Sequence, residues 1–297
     1  MDSADRLLNR KLLPLIILLT FFFLEWLAAS HSASLLLQRK ALFYSSDKTE
    51  FQARLKKALQ HDPDNGSTHL YLASLYMNQK EYLPAREETK LALKYFASIT
   101  SYNQLGSINL KMGNLNDARE FFSRVLRLYP EEKNARLRLA ALCLSLHETE
   151  KARRNIKIFL QSHPGDPNGY YFLGMIQFSQ NESPKALANF SKADRLVLES
   201  NPKLLFQLDD LYYRMAIAET DLRMWDACET HLKKALALNS RVSYVQALSD
   251  VYVIQKQFER AKNVLEKGVR RHPHQEELKI SLLRLQKIMK EERKQDP

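Results

Sequence analysis

Residues Ser101–Pro130 read SYNQLGSINLKMGNLNDAREFFSRVLRLYP, and the fold turns on this stretch. A Leu is followed by a small residue (Leu105, Gly106), a turn falls at Gly113-Asn114, Ala118 comes five residues after the glycine, Phe121 and Phe122 follow, and Pro130 closes. Two segments of helical length with Gly-Asn between them read as a helical hairpin. Sliding the stretch along the chain finds the Leu-small pair again at Leu72-Ala73, Leu139-Ala140, Leu173-Gly174, Met215-Ala216 and Leu248-Ser249. The small residue of the second helix returns as Ala85, Ala152, Ala186, Cys228 and Ala261. Three positions before it stand Tyr82, Leu115, Trp225 and Phe258, with polar Thr149 and Ser183 as the exceptions. Pro63, Pro130, Pro164 and Pro273 close several units, and successive Leu-small pairs lie 33, 34, 34, 42 and 33 residues apart. The hairpin is a module.

The physical reading is direct. Small residues let the two helices of a hairpin, and the first helix of the next, approach closely, while Leu and aromatic positions fill the space between. One hairpin alone leaves an apolar face exposed, so the modules must stack. A period of about 34 residues with these positions in phase resembles the tetratricopeptide repeat family. The resemblance covers residues 48–290. It implies an all-α fold, a right-handed superhelix of helical hairpins, here following an N-terminal transmembrane helix. Six units are expected at 64–98, 99–132, 133–166, 167–208, 209–241 and 242–274, with a capping helix at 47–63 (Asp47 and Glu50 as a capping box) and a terminal helix and tail at 275–297.

Composition agrees with long helices and short joints: 297 residues carry 7 Gly and 10 Pro, too little turn material for an all-β chain. The formal net charge of +11 makes acidic partners a candidate class. Two cysteines, Cys143 and Cys228, have neither CxxC nor Cys/His ligand spacing, so no zinc site and no disulfide framework is expected. Residues 12–29, LLPLIILLTFFFLEWLAA, extendable to 37, follow Arg6, Arg10 and Lys11. A span needs about 20 apolar residues, so the segment reads as a signal anchor with residues 1–11 cytoplasmic, a juxtamembrane segment at 30–46 and the repeats extracytoplasmic. The alternatives are the opposite orientation and a cleaved signal peptide with Ala28-Ala29-Ser30 as its cleavage site, leaving a secreted or periplasmic protein.

The 42-residue step puts eight extra residues around 196–210. They read either as a longer second helix and a longer first helix meeting at Asn201-Pro202, or as a protruding hairpin that meets a partner.

In tetratricopeptide proteins the concave face is lined by recurring positions of each first helix. The resemblance therefore implies an apolar peptide-binding groove in Leu137, Ala141, Leu144, Tyr171, Met175, Phe178, Tyr213 and Ile217. The competing reading is that these residues pack between neighbouring first helices. Over all units the implied lining holds Lys111 against Asp210, Asp221 and Asp250, which is wrong for nucleic acid. Nor does it match the carboxylate clamp of some relatives, for which only Asn134 and Arg138 fall near the required places. The basic residues gather on second helices: Arg119, Arg124 and Arg127, then Lys151, Arg153, Arg154 and Lys157. They read as a solvated face or as a contact for anionic lipid or an acidic partner.

No Gly-rich phosphate loop, HExxH or GxSxG occurs. His272-Pro-His274 sits at an inter-unit turn, and Asn65, Asn181 and Asn189 begin N-glycosylation sequons. The expectation is a chain without catalysis or cofactor: a membrane-tethered scaffold docking partner proteins, resembling bacterial envelope assembly scaffolds. The alternatives are a lipid- or polyanion-binding module and the targeting subunit of an enzyme encoded elsewhere.

Overall fold

The computed structural model describes residues 48–200 and 204–295. Among them stand fourteen α-helices and no strand. In chain order they are α1 (Lys48–His61), α2 (Gly66–Asn78), α3 (Tyr82–Tyr95), α4 (Ile99–Lys111), α5 (Leu115–Leu128), α6 (Lys133–Ser145) and α7 (Thr149–Ser162). Then follow α8 (Pro167–Phe178), α9 (Ser183–Ser200), α10 (Leu208–Asp221), α11 (Trp225–Leu238), α12 (Val242–Ile254), α13 (Phe258–Arg271) and α14 (Glu276–Gln295). From α2 to α13 they form hairpins of a first (A) and a second (B) helix. The expected anchor 12–29, its flanks 1–11 and 30–46, the Ala28-Ala29-Ser30 site and Asp47 lie outside the described residues. No described helix is long and apolar enough to cross a membrane.

One turn recurs in every hairpin. Lys80, Gly113, His147, Asn181, Arg223 and Lys256 all have φ between 57° and 80°, the left-handed region. The following amide reaches back five residues, as in Glu81 N to Tyr76 O at 2.9 Å, Glu148 N to Cys143 O at 2.8 Å and Gln257 N to Tyr252 O at 2.8 Å. The left-handed residue bonds three back, as in Lys80 N to Met77 O at 3.1 Å. These two bonds make a Schellman motif, which satisfies the last carbonyls of each A helix. The B helix starts within two residues of the turn, and the N-cap residues just before it, Glu81, Asn114, Glu148, Met224 and Gln257, make no side-chain cap bond. Several A helices, starting from looser joints, are capped instead: Asn65 accepts from Thr68 N, Ser98 from Ser101 N and Asp166 from Asn168 N.

The chain divides into two compact units, 1–135 and 136–297. In the first, α1 packs on α2, α2 on α3, α3 on α4 and α4 on α5. Leu55, Leu72, Tyr76, Ala85 and Ile108 form its core, with Phe51, Leu59 and Tyr82 against them. A Cβ on Gly106 would stand 2.6 Å from Phe122 Cε1, so the small residue of the Leu-small pair is what admits the B-helix aromatic.

The second unit repeats the device at Gly174, whose Cβ would stand 2.6 Å from Phe190 Cδ1. One core joins Leu137, Ala140, Ile156, Phe159, Tyr171, Ile176, Phe190, Leu211 and Tyr244. A second joins Cys228, Leu232, Leu248, Tyr252, Leu265, Leu278 and Leu285. Leu278 and Leu285 of α14, with Leu282 and Met289 beside them, cover the last hairpin, while Ile288 is exposed.

The longer second helix expected at the long step is present, while the expected meeting point Asn201-Pro202 lies outside the described residues. The B helix α9 is lengthened to 18 residues, but α10 has 14 and begins at Leu208. The remaining length lies between them, and residues 201–203 are not described. Beyond them Leu205 N donates to Asn168 Oδ1 at 2.6 Å, and the buried Phe206 ring stacks on Tyr171 at 4.1 Å and 10°. Residues 204–207 are therefore folded onto α8.

Candidate functional site

The A-helix face of residues 136–297 carries the expected groove residues, and burial sorts them. Leu137 is 1% exposed and Tyr171 6%, so both belong to the core and present no surface of use to a ligand. The reason is local. The inserted Phe206 lies flat on Tyr171, and the tyrosine edge meets Phe172 at 5.3 Å and 78°. Ala141, Leu144, Met175, Phe178 and Tyr213 are half-buried and lean on that core. Ile217 is also half-buried. The face is thus a row of partly accessible apolar side chains over a buried Leu–Tyr layer.

Two adjacent carboxylates tie successive A helices together beneath it. The Tyr171 hydroxyl of α8 donates to Asp210 Oδ2 of α10. Arg214 Nε, one turn on, donates to the same oxygen at 2.8 Å and lies 3.3 Å from the Tyr171 hydroxyl. Asp209 points to the other neighbour: Tyr244 of α12 donates to its Oδ2 at 3.1 Å, and Arg241 pairs with it at 3.0 Å. Burial pushes both tyrosine hydroxyls well above their ordinary range, and the carboxylates push the same way. They stay protonated donors, which is what a buried carboxylate needs. The Tyr213 and Tyr244 rings meet at 4.7 Å. Arg214 and Phe206 did not stand out from the sequence. Only Asp210 among the cluster's acids fell on an expected lining position, and the adjacent Asp-Asp was the available signal.

Several of the expected basic residues have local partners. Arg119 reaches Asn116 Oδ1 at 2.9 Å and Arg124 lies over the Tyr102 ring at 5.0 Å. Lys151 pairs with Glu148 at 3.1 Å, and Arg153 with Glu150 at 3.6 Å and with Gln180. Arg127, Arg154 and Lys157 are exposed.

Among the described residues no group of three or more His, Cys, Asp or Glu could hold a metal ion. His272 meets Ser240 Oγ at 3.2 Å, while His274 is exposed. Cys143 and Cys228 are buried and free of disulfide, and burial raises the Cys228 thiol. Of the sequon asparagines, Asn65 caps α2 and Asn189 holds Gln177 Oε1 at 2.7 Å, whereas Asn181 is exposed at a hairpin turn.

A model of the tetratricopeptide repeat family matches residues 109–176. The human protein O-mannosyl-transferase TMTC1 is 22% identical over 220 residues, which are 74% of this chain. The match spans 24% of that relative's length. The crystal structure of the APC/C hetero-tetramer Cut9–Hcn1 superposes with a TM-score of 0.71 at 17% identity, covering 87% of this chain and 48% of that one. A tetratricopeptide repeat protein from Parabacteroides merdae superposes with 0.65 at 16% identity, over 86% and 98%. At these identities the likeness to solved structures is one of fold. The chain carries tetratricopeptide repeat sequence at residues 109–176 within an all-α helical-repeat fold of the tetratricopeptide kind.

Proposed function

We propose that this chain is a non-catalytic scaffold that docks partner proteins or peptides on the A-helix face of residues 136–297 and is tethered to a membrane by residues 12–29. The observation that carries the docking is the row of half-buried apolar side chains, above all Met175, Phe178 and Tyr213, held over a packed layer. Helices pinned by Asp209 and Asp210 offer those side chains already ordered, so a bound segment meets little reorganisation. An apolar or aromatic segment, laid along the face as a helix, is the matching partner.

A photo-crosslinking residue at Phe178 or Met175 in the full chain tests this. Partner adducts should form there and be absent with the crosslinker at Arg119, on a B helix. Adducts from Arg119 alone would overturn the reading. Tyr171→Ala is a poor probe because that ring is core. Tethering is tested by fractionation, intact mass and protease access from the outer side of the membrane. A full-length, membrane-bound chain cut from outside supports an extracytoplasmic scaffold; a soluble chain about thirty residues shorter means a cleaved signal.

The setting has two forms. The bacterial envelope follows from the resemblance to envelope scaffolds, and a eukaryotic setting is suggested by the human relative. The similarity to a protein O-mannosyl-transferase also favours a second reading, in which these repeats serve an enzyme encoded elsewhere. Co-purification of glycosyl-transfer activity with the full chain tests that.

A further inference from the structure

A cavity of about 390 Å³ opens at the last hairpin, within the range of about 300–1,000 Å³ usual for ligand pockets. Its floor is apolar: Leu236 of α11, Val245 of α12 and Val264 of α13. Its rim carries Lys267, Arg270 and Arg271, all exposed.

The contrast with neighbouring cations is informative. Lys233 and Arg260 share Glu229 at 2.6 Å each, Arg241 holds Asp209 at 3.0 Å, and Lys262 faces Glu266 at 3.9 Å. No ion pair among the described residues engages the three rim cations. Attraction to the negative end of α13 accounts for placing Arg270 and Arg271 in its last turn. It does not account for Lys267 or for the apolar hollow beneath.

We propose that this cavity binds an acidic peptide segment of a partner protein that inserts one large apolar side chain between α11 and α13 and sets its carboxylates on Lys267, Arg270 and Arg271. A bare phosphate or a nucleic acid backbone would satisfy the rim and leave the floor empty. A bilayer surface is flat and would not enter the hollow. A buried apolar anchor ringed by charge-assisted hydrogen bonds matches both parts. The site is formed by B helices and the start of α12, and does not use the Met175–Phe178–Tyr213 row, so it stands or falls independently of the docking proposed above.

The test is fluorescence anisotropy of a labelled acetyl-Asp-Glu-Phe-Glu-Asp-amide peptide with the full chain. Saturable binding is expected, about tenfold weaker or more when the peptide Phe is replaced by Ala. It should be lost in the Lys267→Glu, Arg270→Glu, Arg271→Glu variant and retained in Phe178→Ala. Gly268 is left alone because a Cβ there would stand 2.6 Å from Val245 Cγ1. If the triple variant melts early, the Phe-against-Ala comparison on the unmodified chain decides. Equal binding of the two peptides would overturn the proposal in favour of bare charge attraction. Displacement of the peptide by inorganic phosphate alone would reduce the site to an anion site. Capture of phosphatidylserine vesicles with no peptide binding would assign it to a lipid surface, and absence of all binding would dismiss it.

Discussion

His69 is buried with an acceptor on each ring nitrogen: Glu88 Oε2 at 2.6 Å from Nδ1 and Pro63 O at 2.8 Å from Nε2. Two acceptors call for two N–H donors, which is the imidazolium. Burial opposes the charge, but the bonds to Glu88 and Pro63 outweigh it and raise the pKa above 6.5. A raised folded value means that the stabilisation is fully present below the unfolded value and is lost as pH rises through the folded one. The stability gap between the natural chain and His69→Gln should therefore be larger at about pH 5.5 than at about pH 8.5, measured by denaturant unfolding. A gap that widens with pH would refute the assignment. The turn residues make a second test at this scale. Lys80, Arg223 and Lys256 sit at φ of 57–63° without being glycine. The left-handed conformation costs such residues about 1–2 kcal/mol. Lys256→Gly should raise the melting temperature, and Gly113→Ala, where nothing lies within 4 Å of the added Cβ, should lower it through backbone strain alone.

At the scale of the hairpin, the Leu-small pair controls how closely A and B helices meet. Gly174→Ala brings a methyl to 2.6 Å from Phe190 Cδ1, inside contact distance. Alanine gains about 1 kcal/mol of helix propensity, whereas overpacking costs about 1–3 kcal/mol. The net expectation is destabilisation, relieved by adding Phe190→Leu, in a double-mutant thermal melt. Additive effects of the two changes would mean that the contact is not what constrains the helices. The repeat was legible because this contact recurs: the same small residue meets the same B-helix position at Gly106–Phe122 and Gly174–Phe190. The groove was less legible. Position numbers could not tell that Phe206, from an inserted segment with no counterpart in other units, would lie on Tyr171 and bury it.

For the molecule as a whole, stability in a stacked array is a sum of hairpins and their interfaces, so the ends matter most. Helix α14 contributes Leu278 and Leu285 to the core of the last hairpin. A chain ending at His274 should expose Leu265 and its neighbours. Hydrogen exchange should then show loss of protection in α12 and α13 and little change in the amides of residues 48–135. Uniform loss across the chain would show that the array unfolds as one body.

The amino-acid order by itself determined the helical hairpin, its period and the place where the period breaks. These rest on local periodicity and on small residues recurring in phase, which each segment carries in itself. It also exposed the cysteines' lack of ligand spacing and the low basic charge of the A-helix lining. Only the tertiary structure decided which apolar positions remain accessible, that Asp209 and Asp210 pin opposite neighbours, that five non-glycine residues among those described take the left-handed turn, and that three cations ring an apolar hollow. Each of these depends on what the neighbouring helix presents at a given height, and that is a property of packing between segments far apart in the chain.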